Sequence, residues 1–284
     1  MMKIGGHVSA AGGLDKAVDR GVEIGAEALQ IFGAPPQSWR RATLAPELAA
    51  LFRQKAQDKG VLPVFIHGVY LINLATAIPE NLSKSVASLT AEMVLQGHIG
   101  AAGVIFHLGS HKGAGLDNVI AQIVDSVRRV LAGSPASTNL LIENSAGMGD
   151  SIGSRFADIG RIMREVGSDR VQVCLDTQHA FASGYYNVAE RDGLEKTLED
   201  FEKHIGLKRL RAVHANDSKC PFGGGLDRHE NIGEGHIGLK GFKVIMGHTA
   251  FKDVPFLLEV PGFEGQGPDR RNVDILKELR GRQA

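Results

Sequence analysis

GVIFHLGSHKGAGLDNVIAQIVDSVRRVLAGSPASTNLLIE, residues 103–143, opens on an apolar run closed by His107 and ends on another closed by Glu143. Neither run alternates apolar with polar residues. That pattern belongs to parallel strands covered on both faces rather than to strands with one wet face. Working outward in both directions, the same kind of run recurs at Lys3–Val8, Ala28–Phe32, Pro63–His67, Val171–Asp176, Leu210–His214 and Pro255–Glu259. With Gly103–His107 and Asn139–Glu143 the count is eight strands in 284 residues, spread from end to end of the chain.

Helical periodicity fills the spaces between them. Leu82, Val86, Leu89 and Met93 follow a 4-3-4 spacing after Pro79, a residue suited to a helix start. Phe156, Ile159, Met163 and Val166 repeat it and stop at Gly167, which reads as a C-terminal cap. Pro46 opens a further helix that ends near Gly60. Strand–helix alternation implies right-handed βαβ units. Eight of them close into an α/β (β/α)8 TIM barrel, whose active sites lie at the C-terminal ends of the strands. The rival is an open doubly wound sheet, which would carry a glycine-rich phosphate loop after its first strand. That turn reads HVSAAGG at 7–13, with neither fingerprint. No low-complexity stretch or Pro/Ser-rich linker marks a boundary, so residues 1–284 are expected to form one TIM-barrel domain.

Composition sets the limits of function. Hydrophobic residues make up 43% and charged residues 23%, the mix of an ordinary soluble globular protein. No run approaches the ~18 apolar residues of a membrane span. The opening MMKIGGHVSAAGG has no apolar stretch like a secretory signal, so a cytoplasmic location and no membrane partner are expected. The two cysteines, Cys174 and Cys220, are too few for a disulfide framework and lack C-x-x-C spacing. Any metal must therefore be held by nitrogen and oxygen. The 32 basic and 32 acidic residues cancel, which taken alone argues against a nucleic-acid partner. Bound divalent cations would overturn that argument, because three of them add about six positive charges where a phosphate would sit.

The informative pattern is where the ligand-type residues fall. His67, His107, Glu143, Asp176, His214 and Glu259 each close an apolar run, at intervals of 33 to 45 residues. In a barrel these six side chains converge on one rim. One such residue alone is ordinarily a hydrogen-bonded polar group at a strand end. Six imidazoles and carboxylates in one concavity need a compensating positive charge, which a metal cluster supplies. His179 follows Asp176 by three residues, and Asp227-Arg-His229 forms a D-x-H pair in a polar, glycine-rich loop long enough to fold back over the rim. Five imidazoles and four carboxylates suffice for three ions sharing ligands. Zinc suits that set, with manganese or iron able to fill part of it. His7 and His111, near strand ends, could orient ligands. Several ions sharing a carboxylate suit phosphodiester hydrolysis.

At this point the chain resembles the endonuclease IV family of apurinic/apyrimidinic endonucleases. The segments that carry the resemblance are GGHVSAAGG at 5–13, HGVYLINL at 67–74, FHLGSH at 106–111, IENSAG at 142–147, LDTQHAFASGY at 175–185, HANDSK at 214–219, LDRHENIGEGHIG at 226–238 and LLEVPG at 257–262. They run in order over nearly the whole chain. The resemblance implies three zinc ions: one on His67 and His107 with Glu143 bridging, a second on Glu143, Asp176, His214 and Glu259, and a third on His179, Asp227 and His229. Glu143 becomes the catalytic candidate. It further implies hydrolysis of the phosphodiester 5′ to an abasic site in duplex DNA, leaving a 3′-hydroxyl, with removal of blocked 3′ ends as a second activity. The family flips the baseless nucleotide and wedges side chains into the minor groove, a role that falls here on Tyr70 and Leu71.

One loop departs from the family. GAPPQSW at 33–39 carries Gln37 where relatives typically have an arginine, and prolines at 35 and 36, while Trp39 and Arg40 still match as DNA-contact residues. Weaker binding to damaged duplex with intact metal chemistry is the expectation. Two other readings stand beside this one: a metal-dependent sugar isomerase or epimerase on the same barrel, and a lesion-binding protein that does not cut. Metal content separates the first, with about three ions per chain favouring the nuclease, and an uncut abasic duplex would reveal the second. A near-neutral chain forming one barrel is expected to be a monomer.

Overall fold

The computed structural model describes residues 1–39 and 44–281. In chain order the strands are β1 (Ile4–His7), β2 (Ala28–Phe32), β3 (Val64–His67), β4 (Gly103–Phe106), β5 (Leu140–Glu143), β6 (Val171–Asp176), β7 (Leu210–His214), β8 (Asp217–Ser218), β9 (His229–Glu230) and β10 (Phe256–Leu258). The helices are α1 (Leu14–Glu23), α2 (Pro46–Asp58), α3 (Pro79–Ile99), α4 (Leu116–Ala132), α5 (Phe156–Val166), α6 (Thr177–Ala182), α7 (Arg191–His204), α8 (Gly238–Gly247) and α9 (Arg270–Gly281). Strands β1 to β7 and β10 pair in parallel and close the barrel in the order β1-β10-β7-β6-β5-β4-β3-β2. The expected eight-stranded α/β barrel is what forms. Among the described residues no helix is long and apolar enough to cross a membrane.

The two faces of each barrel strand serve two separate cores. Leu140 and Ile142 of β5 point outward into the large cluster shared with the helices, as do Val64, Ile66, Val104 and Phe106. The alternate residues Ala28, Phe65, Ile105, Leu141, Cys174, Ala212 and Leu257 form a second cluster inside the barrel. Cys174 is thus core, and burial pushes its thiol up to about 11. Period-two alternation carries this inner face upward: two residues beyond each member stand Gln30, His67, His107, Glu143, Asp176, His214 and Glu259. The filled interior is the floor on which the polar rim rests.

Two details depart from the sequence reading. His107 and Glu259 lie one residue past their strands rather than in them, because β4 ends at Phe106 and β10 at Leu258. They keep the inward alternation although their backbones have left the ladder. The loop after β7 is not merely extended: β8 and β9 form an antiparallel pair in which Ser218 faces His229. Helix α5 ends as expected, with Gly167 in the left-handed conformation that a side chain disfavours.

Candidate metal centre

Glu143 stands at the centre of the rim, fully buried, with four imidazoles around its two oxygens. Oε2 lies 3.1 Å from His67 Nε2 and 3.2 Å from His107 Nε2. Oε1 lies 2.9 Å from His214 Nδ1 and 3.3 Å from His179 Nδ1. His214 Nδ1 is also 3.3 Å from Glu259 Oε2 and 3.8 Å from Asp176 Oδ2. Farther toward solvent, Asp227 Oδ1 sits 3.2 Å from His179 Nε2 and 3.3 Å from His229 Nε2. Burial falls off in the same direction, from 0% exposure at Glu143 and His214 to 46% at the Asp227 side chain.

The donor set divides into three groups whose ligand atoms lie within 4.8 Å of one another: His67, His107 and Glu143; Glu143, Asp176, His214 and Glu259; and Asp176, His179 and His229. Asp227 reaches the last group from the solvent side, and Asp176 stands between the second and third, with Oδ2 3.8 Å from His229 Nε2. Ligands on one zinc ion at bonds of about 2.1 Å are separated by about 3.4 Å at tetrahedral angles, so these spacings fit.

The tautomers provide an independent check of that fit. His67 Nδ1 is 2.8 Å from the Gly68 carbonyl, His179 Nδ1 is 3.0 Å from that of Asn144, and His229 Nδ1 is 3.2 Å from that of Glu259. A carbonyl only accepts, so in the neutral rings each Nδ1 carries the proton and each Nε2 offers a lone pair. The Nε2 atoms of His179 and His229 are buried and make no hydrogen bond. Both lone pairs face the Asp227 carboxylate. A lone pair against an anion is repulsive unless a metal ion or a proton lies between them, and the donor set present fits a divalent metal in that place.

Electrostatics agree. Burial would raise the Glu143 carboxyl, yet His107, His214 and His179 hold it well below the usual carboxylate range. Burial opposes charge on His179, but Asp176, Asp227 and Glu143 drive its pKa well above 6.5. His214 is raised likewise, against its burial, by the Cys174 sulfur, Glu143 and Glu259. Asp227 and Glu259 are depressed in spite of burial, Asp227 by His179 and His229, Glu259 by His214 and His7. Without metal, charge balance falls to protons on the imidazoles.

Two clefts flank the centre. One of about 630 Å³ is bordered by His7, Phe32, Arg228 and Pro261, and one of about 790 Å³ by Leu71, Ile78, Lys112 and Met148. Tyr70, His107, His179 and Asp227 line both. Tyr70 stands out between them, 66% exposed, and Leu71 beside it on the second cleft is 38% exposed. The backbone N–H of Tyr70 donates to the Pro36 carbonyl at 3.1 Å, so the proline loop buttresses it. Gln37 is exposed, Trp39 is half-buried against the main core, and Arg40 lies outside the described residues. His7 borders the centre, with Nδ1 3.3 Å from Glu259 Oε1, whereas His111 accepts from the Gly115 N–H and stands apart from the ligands.

The profile of the xylose isomerase-like TIM barrel family matches residues 18–279. A protein of Halothermothrix orenii named probable endonuclease 4 is 42% identical over 277 residues, covering 97% of this chain and 99% of that one. The chain belongs to the endonuclease 4 family. A Geobacter protein with the same name is 40% identical over 97% of the chain and 98% of its own length. The crystal structure of endonuclease IV from Thermus thermophilus superposes with a TM-score of 0.87 at 33% identity, covering 99% of both chains. A D-tagatose 3-epimerase-like structure, with a TM-score of 0.73 at 17% identity and coverage of 99% and 98%, shares the fold alone. Family membership as endonuclease 4 therefore displaces the sugar-epimerase alternative.

Sequence reasoning missed the residues that hold the candidate ligands. Asn216 Nδ2 donates to Asp176 Oδ2 at 2.7 Å while its Oδ1 accepts from the Glu259 N–H at 2.8 Å. Asn144 accepts from the Asp176 N–H and returns a bond to the Asp176 carbonyl. Their only trace in the sequence is position: both asparagines stand one or two residues after a candidate ligand, and Gln30 is a lone polar residue in an apolar run.

Proposed function

We propose that this chain hydrolyses the phosphodiester 5′ to an abasic site in duplex DNA, leaving a 3′-hydroxyl, and also clears blocked 3′ ends. As a member of the endonuclease 4 family it is a metal-dependent nuclease acting on DNA in repair. The finer reading is that three zinc ions are held by His67, His107, Glu143, Asp176, His179, His214, Asp227, His229 and Glu259, with manganese or iron able to take part of the sites. The observation that carries it is the cluster of lone pairs and carboxylates around Glu143, with the Nε2 atoms of His179 and His229 left without partners.

Bound there, the ions would supply Lewis acidity and the positive charge that a scissile phosphate requires. The chain's own groups set the rest. Glu143 belongs to two donor groups and so fixes their separation. Asn144 and Asn216 hold Asp176 and Glu259 in place. Asp227 and His107, the most exposed members, face the side from which a phosphate arrives. Tyr70, between the clefts, and Leu71, on the larger one, present apolar surface and serve as the wedge that occupies the gap of an extruded nucleotide. Unstacking costs least where the base is already missing, which favours the abasic site. Residues 1–284 act as one domain and one monomer, in the cytoplasm.

A labelled duplex with one tetrahydrofuran site tests the reading, because that analogue cannot undergo β-elimination. Metal-replete protein is expected to cut 5′ to it and to lose the activity on prolonged chelation. Binding without a cut by metal-replete protein would leave a lesion-binding protein.

A further inference from the structure

The apolar run of β2 contains one polar side chain, Gln30, which is wholly buried. It lies two residues above Ala28 of the inner cluster and pairs in register with His7 of β1. Its Oε1 is 2.8 Å from His214 Nε2. Its Nε2 is 2.5 Å from Glu259 Oε1 and 3.0 Å from His7 Nδ1. The orientation of the amide follows from its partners. An ionised carboxylate only accepts, so the amide nitrogen must face Glu259, and the amide oxygen then faces His214. An amide oxygen also only accepts, so His214 must carry a proton on Nε2.

We propose that Gln30 is a positioning residue of the metal centre, selecting through one amide the His214 tautomer and the Glu259 orientation that ligation needs. The inference rests on the metal reading above. With Nε2 protonated, the neutral ring presents a bare Nδ1 to Glu143, Glu259 and Asp176. With Oε1 of Glu259 engaged, Oε2 is the oxygen turned toward His214 and Asn216. Both effects fall on the group of Glu143, Asp176, His214 and Glu259. His7 stands beside the same oxygen on the neighbouring strand, its Nδ1 also facing the amide nitrogen of Gln30.

The test compares wild-type protein with Gln30→Met, which preserves length but offers neither acceptor nor donor. Zinc alone is the probe, titrated against a chromophoric chelator, with circular dichroism confirming the fold. Loss of an outer hydrogen bond to a ligand typically weakens binding about 10- to 100-fold, and that loss is expected for one zinc site, the other ions being retained. Unchanged affinity at every site overturns the role of Gln30 and leaves the metal centre standing. Wild-type protein that binds no zinc overturns the metal reading, and this inference with it. If Gln30→Met does not fold, nitrogen-15 spectra of zinc-loaded wild-type protein decide. The proton on His214 is expected at Nε2, and a proton at Nδ1 refutes the assignment.

Discussion

Asp217→Asn should loosen the loop that carries Asp227 and His229. The Asp217 carboxylate is wholly buried and accepts only backbone N–H groups: Ser218 and Ile237 at Oδ1, Gly233 and Gly235 at Oδ2, and Gly238 at both, all between 2.8 and 3.2 Å. These bonds gather residues 233–238 around Asp217 of β8, the partner of β9, which starts at His229. Asparagine has the same size, but either orientation of its amide sets an NH2 against at least two of these donors. A buried donor without an acceptor costs about 1–3 kcal/mol, so two give about 4 kcal/mol. In a chain of this size each kcal/mol lowers Tm by about 2 °C, so a fall of about 8 °C is expected. If the loop opens locally instead, Tm falls less and the loss appears as about one metal ion fewer per chain. Calorimetry with metal analysis on zinc-reloaded protein reads both. A variant within about 1 °C of wild type with full metal content would show that the Asp217 carboxylate does not hold this loop.

Three further outcomes follow from the geometry. Glu143 and Glu259 are depressed from 4.5, so their stabilisation of the chelated protein holds above that value and fades as pH falls toward their folded pKa values. His179 and His214 are raised from 6.5, so theirs is complete below it and lost as pH rises through the folded pKa. Chelated protein should therefore melt highest between about pH 4.5 and 6.5, while zinc affinity rises with pH; a chelated Tm that climbs above pH 7 contradicts this. In Gly5→Ala the new Cβ would lie 1.9 Å from the Ala28 carbonyl oxygen, so a loss of about 3 kcal/mol or outright misfolding is expected in denaturant titration, and a wild-type midpoint would be the contrary result. Gln37→Arg places a cation on an exposed loop position and should tighten binding to an abasic duplex, steepening its salt dependence by about one counterion. Unchanged binding would show that position 37 does not meet DNA.

Much of the barrel was legible because parallel strands buried on both faces are uninterrupted apolar runs, and the candidate ligands close six of them. The same alternation that places Glu143 two residues above Leu141 also places Gln30 above Ala28 and His7 above Gly5. Gln30 escaped notice because a buried amide inside a strand carries no ligand signature; its meaning depends on which chains lie opposite. Asp217 and Asn216 were hidden for the same reason. Their partners are backbone groups and side chains up to 43 residues away, set only when β8, β9 and the end of β10 meet. The third donor group was legible in composition but not in membership, since Asp176 is shared with it only through the fold.

If the nine rim residues form one trinuclear centre that cuts DNA, activity needs all three ions. Chelated protein titrated with zinc, with cutting of a tetrahydrofuran duplex measured at each step, tests it directly. Negligible cutting is expected until the third equivalent per chain is bound. Full activity at one equivalent, or in protein shown to be free of metal, would contradict it.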